Sequence, residues 1–449
     1  QNELKEHALY LIMANKSNKR INKKLIKNNE VIEPATMSKS PTAISLFSGM
    51  GGDSLGMKEA GFDVIAFNEI SKPAIESHRL NFEECELIVD DTPFVPGVEA
   101  EDESKEQTKA RVKDDKKRLK EKEKSATNIQ CIPDDVLARF RGKVDLVFAG
   151  HPCQGFSNGG KKLPDDPRNT LFREFARVCK LTEPKYIIGE NVDGLLSRKT
   201  SDGRKYIDVI EEEFDSIGYT VKHQVCHAVR FGVPQLRKRL VYVGVRKDLH
   251  KTYAFPEPLN DGKVVAGAGN LPNLQDIVRF SMEGAIKIDP DDFDMSSIPS
   301  ECIMTDLAND EGEDEEKNVH PYLRLKAKTR NAEYDGKTHH SLLSFSKRDS
   351  PIHCEIIDVR NPSKTIICTY DHQPRLFVPL RNKSGYYLRC LLPDELKQIQ
   401  GFPADFQIAG NKKDKIKQVG NAVPPPLITL IVKQLLTMPD ADADADADA

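Results

Sequence analysis

The chain has 449 residues, of which 38% are hydrophobic and 30% charged, and its formal net charge is −4 at pH 7. This length allows a large buried core, and we find no apolar run long enough to cross a membrane, so the composition argues against an integral membrane protein. The nine cysteines include no CxxC pair, and the polar first forty residues contain no apolar signal segment. These features argue against a disulfide framework and a zinc site, and they predict an intracellular protein.

Both ends of the chain are biased in charge. Residues 1–40 contain a lysine-rich cluster, which predicts a solvated basic arm; the alternatives are a DNA-contacting arm or a localisation signal. Residues 439–449 form an alternating Asp-Ala tail, which is predicted to be disordered. Without this tail the chain is close to neutral, so charge alone does not indicate a nucleic-acid partner.

The first ordered elements follow a βαβ pattern. A strand over residues 42–47, a glycine turn over 48–52 and a helix over 53–60 precede a strand over 64–68, which leads to Glu69. Glycines let a ligand approach the backbone, and an acid at the second strand end accepts hydrogen bonds from ribose hydroxyls. The turn lacks GxGxxG spacing and a P-loop lysine, so we expect a nucleoside ligand without a pyrophosphate.

The next segment contains two acids and a charged insertion. A third strand, residues 86–89, ends at Asp90 and Asp91. Either acid suits an adenine amino group, although a plain surface turn is the alternative. The insertion, residues 99–128, predicts a solvated charged helix or a flexible excursion, and its pattern indicates no chemistry.

Three later strand ends bring reactive side chains to the same edge of the sheet. An apolar run over residues 144–149 leads to Cys153, and a strand over 186–189 leads to Glu190. Arg237 and Arg239 alternate along an extended segment. A thiol at a strand end suits a nucleophile, with a small buried hydrophobe as the alternative. The carboxyl edge of an open α/β sheet is where ligands bind.

The pattern changes over residues 253–385, where helical periodicity fades and turn residues multiply. A basic stretch with interleaved aromatic residues, 324–348, is a candidate nucleic-acid surface, and a solvated loop region is the alternative. The His339-His340 pair lacks metal-ligand spacing. Order returns with a helix predicted over 388–400, a Gly420-Asn421 turn and an apolar helix ending at 436.

The motifs, in this order, resemble those of the DNA (cytosine-5) methyltransferase family. The match covers most of residues 42–250 and 386–437, and its short motifs are the glycine turn, Pro152-Cys153-Gln154, Glu190-Asn191-Val192, Gln235-x-Arg237-x-Arg239 and Gly420-Asn421-Ala422-Val423-Pro424. The resemblance implies a doubly wound, mostly parallel, Rossmann-like α/β domain that depends on S-adenosyl-L-methionine, formed by residues 41–252 and 386–438. It also implies that a small, irregular target-recognition domain, residues 253–385, is inserted.

The resemblance implies catalytic roles for Cys153, Glu190, Arg237 and Arg239. Cys153 adds to C6 of a cytosine, C5 takes the methyl group, and Glu190 holds the N3 and amino edge of the base. The arginines favour the thiolate, and one of them contacts the base carbonyl. A duplex hides C6, so the base must be flipped out, and Gly155, Gly159 and Gly160 are expected to serve as hinges of a closing loop.

The resemblance also implies binding residues and partners. The expected cofactor contacts are Phe47, Ser48, Gly49, Met50, Gly51, Gly52, Glu69, Ile70, Asp90, Asp91, Pro152, Leu171, Asn421 and Val423. The expected DNA contacts are Gln154, Ser157, Lys161, Lys162 and Gln235. The product is S-adenosyl-L-homocysteine, the partner is double-stranded DNA, and we expect no metal, no membrane and a monomer located in the nucleus or the cytoplasm according to its source.

Two features depart from the family pattern: His151 stands where a first proline is usual, and the charged insertion is long. Two alternatives to a DNA methyltransferase are considered less consistent with the motifs. A tRNA methyltransferase of the same family is disfavoured by Gly155-Phe156-Ser157 and by the poor match of Cys368-Thr369-Tyr370 to that branch. A catalytically silent DNA-binding module is disfavoured because Cys153 and Glu190 are present. The absence of a long regulatory extension favours a restriction-modification or viral setting.

Overall fold

The computed structural model describes residues 40–98, 104–152, 171–263, 271–288, 300–308, 323–328, 342–345, 355–371 and 375–438. The chain divides between Ser40 and Pro41, and the fold below belongs to the second unit, Pro41–Ala449. The predicted basic arm, the acidic tail and most of the basic-aromatic stretch lie outside the described residues.

The centre of the fold is a seven-stranded sheet with the strand order β3-β2-β1-β4-β5-β8-β6. Its strands are β1 (Thr42–Leu46), β2 (Asp63–Asn68), β3 (Glu86–Leu87), β4 (Leu146–Ala149), β5 (Tyr186–Asn191), β6 (Tyr219–His227) and β8 (Lys238–Arg246). The first five strands are parallel, whereas β8 runs antiparallel to both β5 and β6. This topology confirms the predicted mostly parallel, doubly wound α/β fold.

The described residues form nine α-helices, most of which cover the two faces of this sheet. They are α1 (Gly52–Glu59), α2 (Lys72–Asn81), α3 (Lys105–Ser125), α4 (Asp134–Ala138), α5 (Leu171–Thr182), α6 (Tyr206–Ser216), α7 (Pro393–Ile399), α8 (Lys412–Asn421) and α9 (Pro425–Leu436). Successive residues of β1 belong to different cores: Ala43 packs with Met57 of α1, and Ile44 packs with Phe175 of α5. Because both faces are buried, the central strands are mostly apolar.

Five strands between β8 and α7 form a second sheet. Its strands are β9 (Ile286–Ile288), β10 (Met304–Thr305), β13 (Glu355–Ile356), β15 (Leu376–Asn382) and β16 (Gly385–Cys390). Two short pairs lie outside it: β11 (Leu323–Lys328) with β12 (Leu342–Phe345), and β7 (Gln235–Leu236) with β14 (Ser363–Lys364). Since β15 and β16 form an antiparallel hairpin, this sheet extends to Cys390, beyond the predicted domain boundary at 385.

The helix predicted over residues 388–400 is wrong in its first part. Leu388 and Cys390 belong to β16 and pair with β15, and the helix begins only at Pro393. The leucines at 388, 391, 392 and 396 recur at intervals of three or four residues, which is the spacing of one helix face. The tyrosines at 386 and 387, however, favour a strand. Proline at the first helical position then starts α7, because its fixed φ suits that position.

One stretch of the described chain, Lys412–Leu436, has the length and composition of a membrane-spanning helix. It is interrupted, since Ala422 between α8 and α9 has an extended conformation, and 67% of its apolar window is buried inside the fold. A methyl group added to Gly56 of α1 would meet Ile428 of α9, so the two helices are in close contact. We therefore interpret α8 and α9 as core helices.

Candidate active site

The glycine turn after β1 has an unusual backbone. Phe47, Gly49 and Gly51 have positive φ values of 55°, 54° and 97°. A Cβ atom on Gly52 would overlap the carbonyl oxygen of Val423, so this turn packs directly against the loop between α8 and α9. Met50 is fully buried beneath it. Two motifs that are far apart in sequence therefore meet here.

Glu69, at the end of β2, is fixed against this turn. Its Oε2 accepts the N–H of Gly49 at 2.9 Å, and its Oε1 accepts those of Ile70 at 2.9 Å and Ser71 at 2.8 Å. An ionised carboxylate has about four acceptor positions, so capacity for a further donor is left. The Ile70 side chain is 62% exposed. An acid beside an exposed apolar side chain suits a ribose and an aromatic base.

Asp90 is engaged by the charged insertion, which the sequence did not indicate. Its Oδ1 accepts the N–H of Thr92 at 3.1 Å and that residue's hydroxyl, and its Oδ2 accepts a hydrogen bond from Lys122 of α3. Burial alone would raise the pKa of Asp90, but these hydrogen bonds hold it below its ordinary value. Asp91 is more exposed and lies 3.6 Å from Arg139. Of the two acids, Asp91 is therefore the more open to a ligand.

Glu190 and Arg239 form an ion pair at the carboxyl edge of β5. The two residues face each other because β5 and β8 are antiparallel neighbours, and the Arg239 Nε to Glu190 Oε1 distance is 2.7 Å. Burial raises the pKa of Glu190, although the charges of Arg239 and Arg237 oppose that change. The geometry provides a carboxyl group able to hold a proton next to a guanidinium.

Gly150 marks the point where the motifs meet. A Cβ atom placed there would lie 3.8 Å from Glu190 Oε2, 3.8 Å from Val423 Cγ2 and 3.9 Å from the carbonyl oxygen of Phe47. The half-buried Pro152 follows shortly afterwards. Cys153 and the predicted DNA contacts Gln154, Ser157, Lys161 and Lys162 lie outside the described residues.

Gln235 does not have the surroundings expected of a DNA contact. It is fully buried, its Nε2 donates to Gln400 Oε1 at 2.7 Å, and its Oε1 accepts the N–H of Ile366 at 3.1 Å. Both ends of its amide are thus used inside the fold, so this side chain is not placed to contact DNA.

Arg237 has a similar internal role. Its guanidinium is 1% exposed and donates to the carbonyl oxygens of Ile366, Gly420 and Ala422, each at 3.1 Å. The structure therefore assigns Arg237 to holding the loop between α8 and α9, whereas Arg239 faces Glu190. The QxRxR spacing identifies the important residues but not the direction of each side chain.

Two further predicted cofactor contacts lie in different surroundings. Leu171 is half-buried at the start of α5, where it packs against the core on that face of the sheet. Asn421 is exposed as the last residue of α8. Val423, a third predicted contact, lies close to Gly150.

His151 belongs to a buried hydrogen-bond network just before Cys153. Its Nε2 lies 2.9 Å from the Tyr242 hydroxyl, and its carbonyl oxygen accepts Asn191 Nδ2 at 3.2 Å. Burial lowers the pKa of His151 to about 4, so the ring is neutral at pH 7. Gly189 leaves space for Tyr242, because a Cβ atom there would overlap the tyrosine ring. This residue, unexpected in the motif, thus connects the segment that follows β4 to β5 and β8.

Comparison with known proteins shows which family the chain belongs to. The sequence model of the C-5 cytosine-specific DNA methylases matches residues 42–96 and 98–437. The chain belongs to this family. It is a DNA cytosine-5 methyltransferase, and the resemblance of its motifs is confirmed.

Two relatives and one solved structure illustrate the similarity. The type II methyltransferase M1.HphI of Haemophilus parahaemolyticus is 31% identical over 413 residues, which cover 89% of this chain and 87% of the relative. The type II methyltransferase M.PspPI of a Psychrobacter species is 29% identical, with 91% and 82% covered. A crystal structure of a Spodoptera frugiperda DNMT2 mutant has a TM-score of 0.52 at 17% identity, covers 88% of this chain and 100% of its own, and supports the fold. Within the described residues, no group of three or more His, Cys, Asp or Glu side chains is arranged to hold a metal ion.

Proposed function

We propose that this methyltransferase transfers a methyl group from S-adenosyl-L-methionine to C5 of a flipped-out cytosine in duplex DNA, through a covalent bond between Cys153 and C6. The observation that supports it best is the buried Glu190–Arg239 pair beside Gly150, three residues before Cys153 in sequence. The turn that follows β1 lies at the same point. On this proposal the Cys153 nucleophile, the Glu190 proton donor and the nucleoside-binding turn act together at one edge of the sheet.

The residues present fit the proposed cofactor. Gly52 lets the turn pack directly on Val423, Gly150 keeps the position beside Val423 and Phe47 free of a side chain, and Glu69 and Ile70 offer a ribose acceptor and an apolar contact for the base. When bound, S-adenosyl-L-methionine supplies the methyl group and leaves as S-adenosyl-L-homocysteine. The chain's own part is to orient it through this turn, with Asp91 as the acid for the adenine amino group.

The proposed reaction proceeds in steps of bond formation and proton transfer. The Cys153 thiolate forms a bond to C6 while Glu190, whose pKa is raised by burial, gives a proton to N3. The resulting enamine attacks the methyl group through C5. The C5 proton is then lost to solvent, the C5–C6 double bond reforms as the Cys153 thiolate leaves, and N3 returns its proton to Glu190. Arg239 holds Glu190 and donates to the base carbonyl, while Arg237 fixes the adjoining loop.

The loop after Cys153 is proposed to close over the flipped base. Gln154 and Ser157 would fill the vacated position in the duplex, and Lys161 and Lys162 would contact phosphates. If replacing both lysines with alanine leaves the salt dependence of DNA binding unchanged, this assignment is wrong. The inserted segment, residues 253–385, would read the target sequence through base edges.

The proposed setting is an intracellular, monomeric enzyme of the restriction-modification kind. The supporting observation is that the relatives M1.HphI and M.PspPI are type II methyltransferases.

The test is methyl transfer from radiolabelled S-adenosyl-L-methionine to plasmid DNA and, in parallel, to unmodified tRNA. We expect label in DNA, with bisulfite sequencing showing protected cytosines in one short sequence context. Label in tRNA alone would support the RNA alternative. DNA binding without any transfer would support the silent module.

A further inference from the structure

Helix α3, within the charged insertion, is ordered although none of its 21 residues is buried. Its start is specified locally by a capping box, in which Ser104 and Gln107 satisfy each other's backbone N–H groups. Since hydrophobic packing does not hold α3 in place, its polar contacts must do so, and these lie on one face of the helix.

One face of α3 is anchored to the segment after β3. Asp115 accepts the N–H of Gly97 at 2.9 Å, and Arg111 donates to the Gly97 carbonyl at 3.3 Å. Near the other end, Lys122 binds Asp90 and donates to the Thr92 hydroxyl at 2.7 Å. These contacts fix the helix along its length and determine which side faces solvent.

The opposite face is a row of lysines, which we call the lysine face. At 3.6 residues per turn its members fall within an arc of about 100° over roughly 22 Å of helix. They are Lys109, Lys113, Lys116, Lys117, Lys120 and Lys124, and all six are exposed. Of these six lysines, only Lys117 has an ion-pair partner among the described residues, namely Glu121 at 3.9 Å.

Repulsion between the charges of the lysine face would destabilise α3 as an isolated helix. Lys109 and Lys113, Lys113 and Lys117, and the later pairs Lys116–Lys120 and Lys120–Lys124 are four residues apart. Like charges at that spacing cost about 0.2–0.5 kcal/mol a pair. The acids of α3 lie mostly off this face, so helix-stabilising Glu–Lys pairs are few on it. An anionic partner would remove the repulsion.

We propose that the lysine face binds the phosphate backbone of duplex DNA outside the sequence that the enzyme recognises. Duplex DNA carries one negative charge about every 1.7 Å of its axis, so a row of roughly 22 Å faces several phosphates. Lysine acts as a point charge without directional fit, which suits contacts that strengthen binding without reading sequence. The inference rests on DNA being the substrate, and it gives the insertion a function in holding that substrate.

The test compares two variants of the full chain with the same change in charge. One replaces Lys113, Lys116, Lys117 and Lys120 with glutamine, and the control replaces four exposed lysines on α1, α5, β6 and α9, namely Lys58, Lys180, Lys222 and Lys433. Dissociation constants are measured between 50 and 200 mM salt on a 40-base-pair duplex that contains the target. Circular dichroism checks that each variant is folded.

We expect the slope of log affinity against log salt to fall by about 0.9 for each lost contact in the α3 variant, a total of up to roughly 3.6, with little change in the control. The kcat at saturating DNA should be unchanged in both. Equal slopes in the two variants would overturn the inference while leaving the methyltransferase function intact. If the unsubstituted protein neither binds nor methylates DNA, the proposed function fails as well.

Discussion

The buried carboxyl group of Asp53 predicts an unusual dependence of stability on pH. Asp53 is 3% exposed in the first turn of α1 and accepts a hydrogen bond from Ser45. Burial raises its pKa from 3.8 to about 7, and the nearby charge of Glu190 contributes in the same direction. The native state therefore holds this proton more tightly than the unfolded state does. Below pH 3.8 both states are protonated, whereas above pH 7 the native state contains a buried charge.

The magnitude follows from that difference in pKa. From 3.8 to about 7, at about 1.36 kcal/mol per pH unit, the native state loses roughly 4 kcal/mol relative to the unfolded state. Asp53→Asn keeps an oxygen that accepts from Ser45 but cannot ionise. We therefore expect the substitution to be progressively more stabilising, relative to the unsubstituted protein, as pH rises from 4 to 8.

Urea unfolding at pH 5 and pH 8 measures this effect, with the exposed Asp114 of α3 replaced by asparagine as the control. Part of the effect is already present at pH 5, so the stability difference between Asp53→Asn and the unsubstituted protein should grow by roughly 2–3 kcal/mol between the two pH values. The control should show no such growth. A difference that is the same at both pH values would refute the reasoning from burial.

Three further substitutions have defined outcomes. Arg239→Gln leaves Glu190 without its ion-pair partner, so kcat in a radiolabel assay should fall by about 10²-fold or more. A kcat within about tenfold of the unsubstituted value would contradict the assigned role. Tyr242→Phe removes the hydroxyl that bonds His151, which should cost about 1–3 kcal/mol in unfolding free energy, and a loss below about 0.5 kcal/mol would show that the bond contributes little. Gly52→Ala forces a methyl group into the loop between α8 and α9. The affinity for S-adenosyl-L-methionine, measured by calorimetry, should therefore fall at least tenfold. Unchanged affinity would argue against a cofactor site at this turn.

The sequence predicted the central sheet and the meeting of its motifs. Apolar runs at 42–47, 64–68, 144–149 and 186–189 correspond to β1, β2, β4 and β5, because strands buried on both faces have continuous apolar segments. Parallel strands place their carboxyl ends at one edge, which is why the position of Glu190 near the glycine turn could be expected.

Side-chain direction and long-range partners could not be predicted in the same way. Gln235 is buried because Gln400 and Ile366, far away in sequence, take both ends of its amide. The partners of His151 lie 40 and 91 positions later in the chain. Local periodicity contains no information on such contacts, so the spacing of a motif indicates importance but does not separate catalysis from positioning.

The central claim is that Cys153 bonds covalently to the target cytosine, and one trapping measurement tests it most directly. The protein is incubated with S-adenosyl-L-methionine and a duplex in which 5-fluorocytosine replaces the target cytosine. Fluorine at C5 cannot leave as a proton does, so the adduct should persist and migrate as a single denaturation-resistant complex. We predict this complex for the unsubstituted protein and none for Cys153→Ser. A complex that survives in Cys153→Ser, or its absence in an unsubstituted enzyme that methylates normal DNA, would contradict the account.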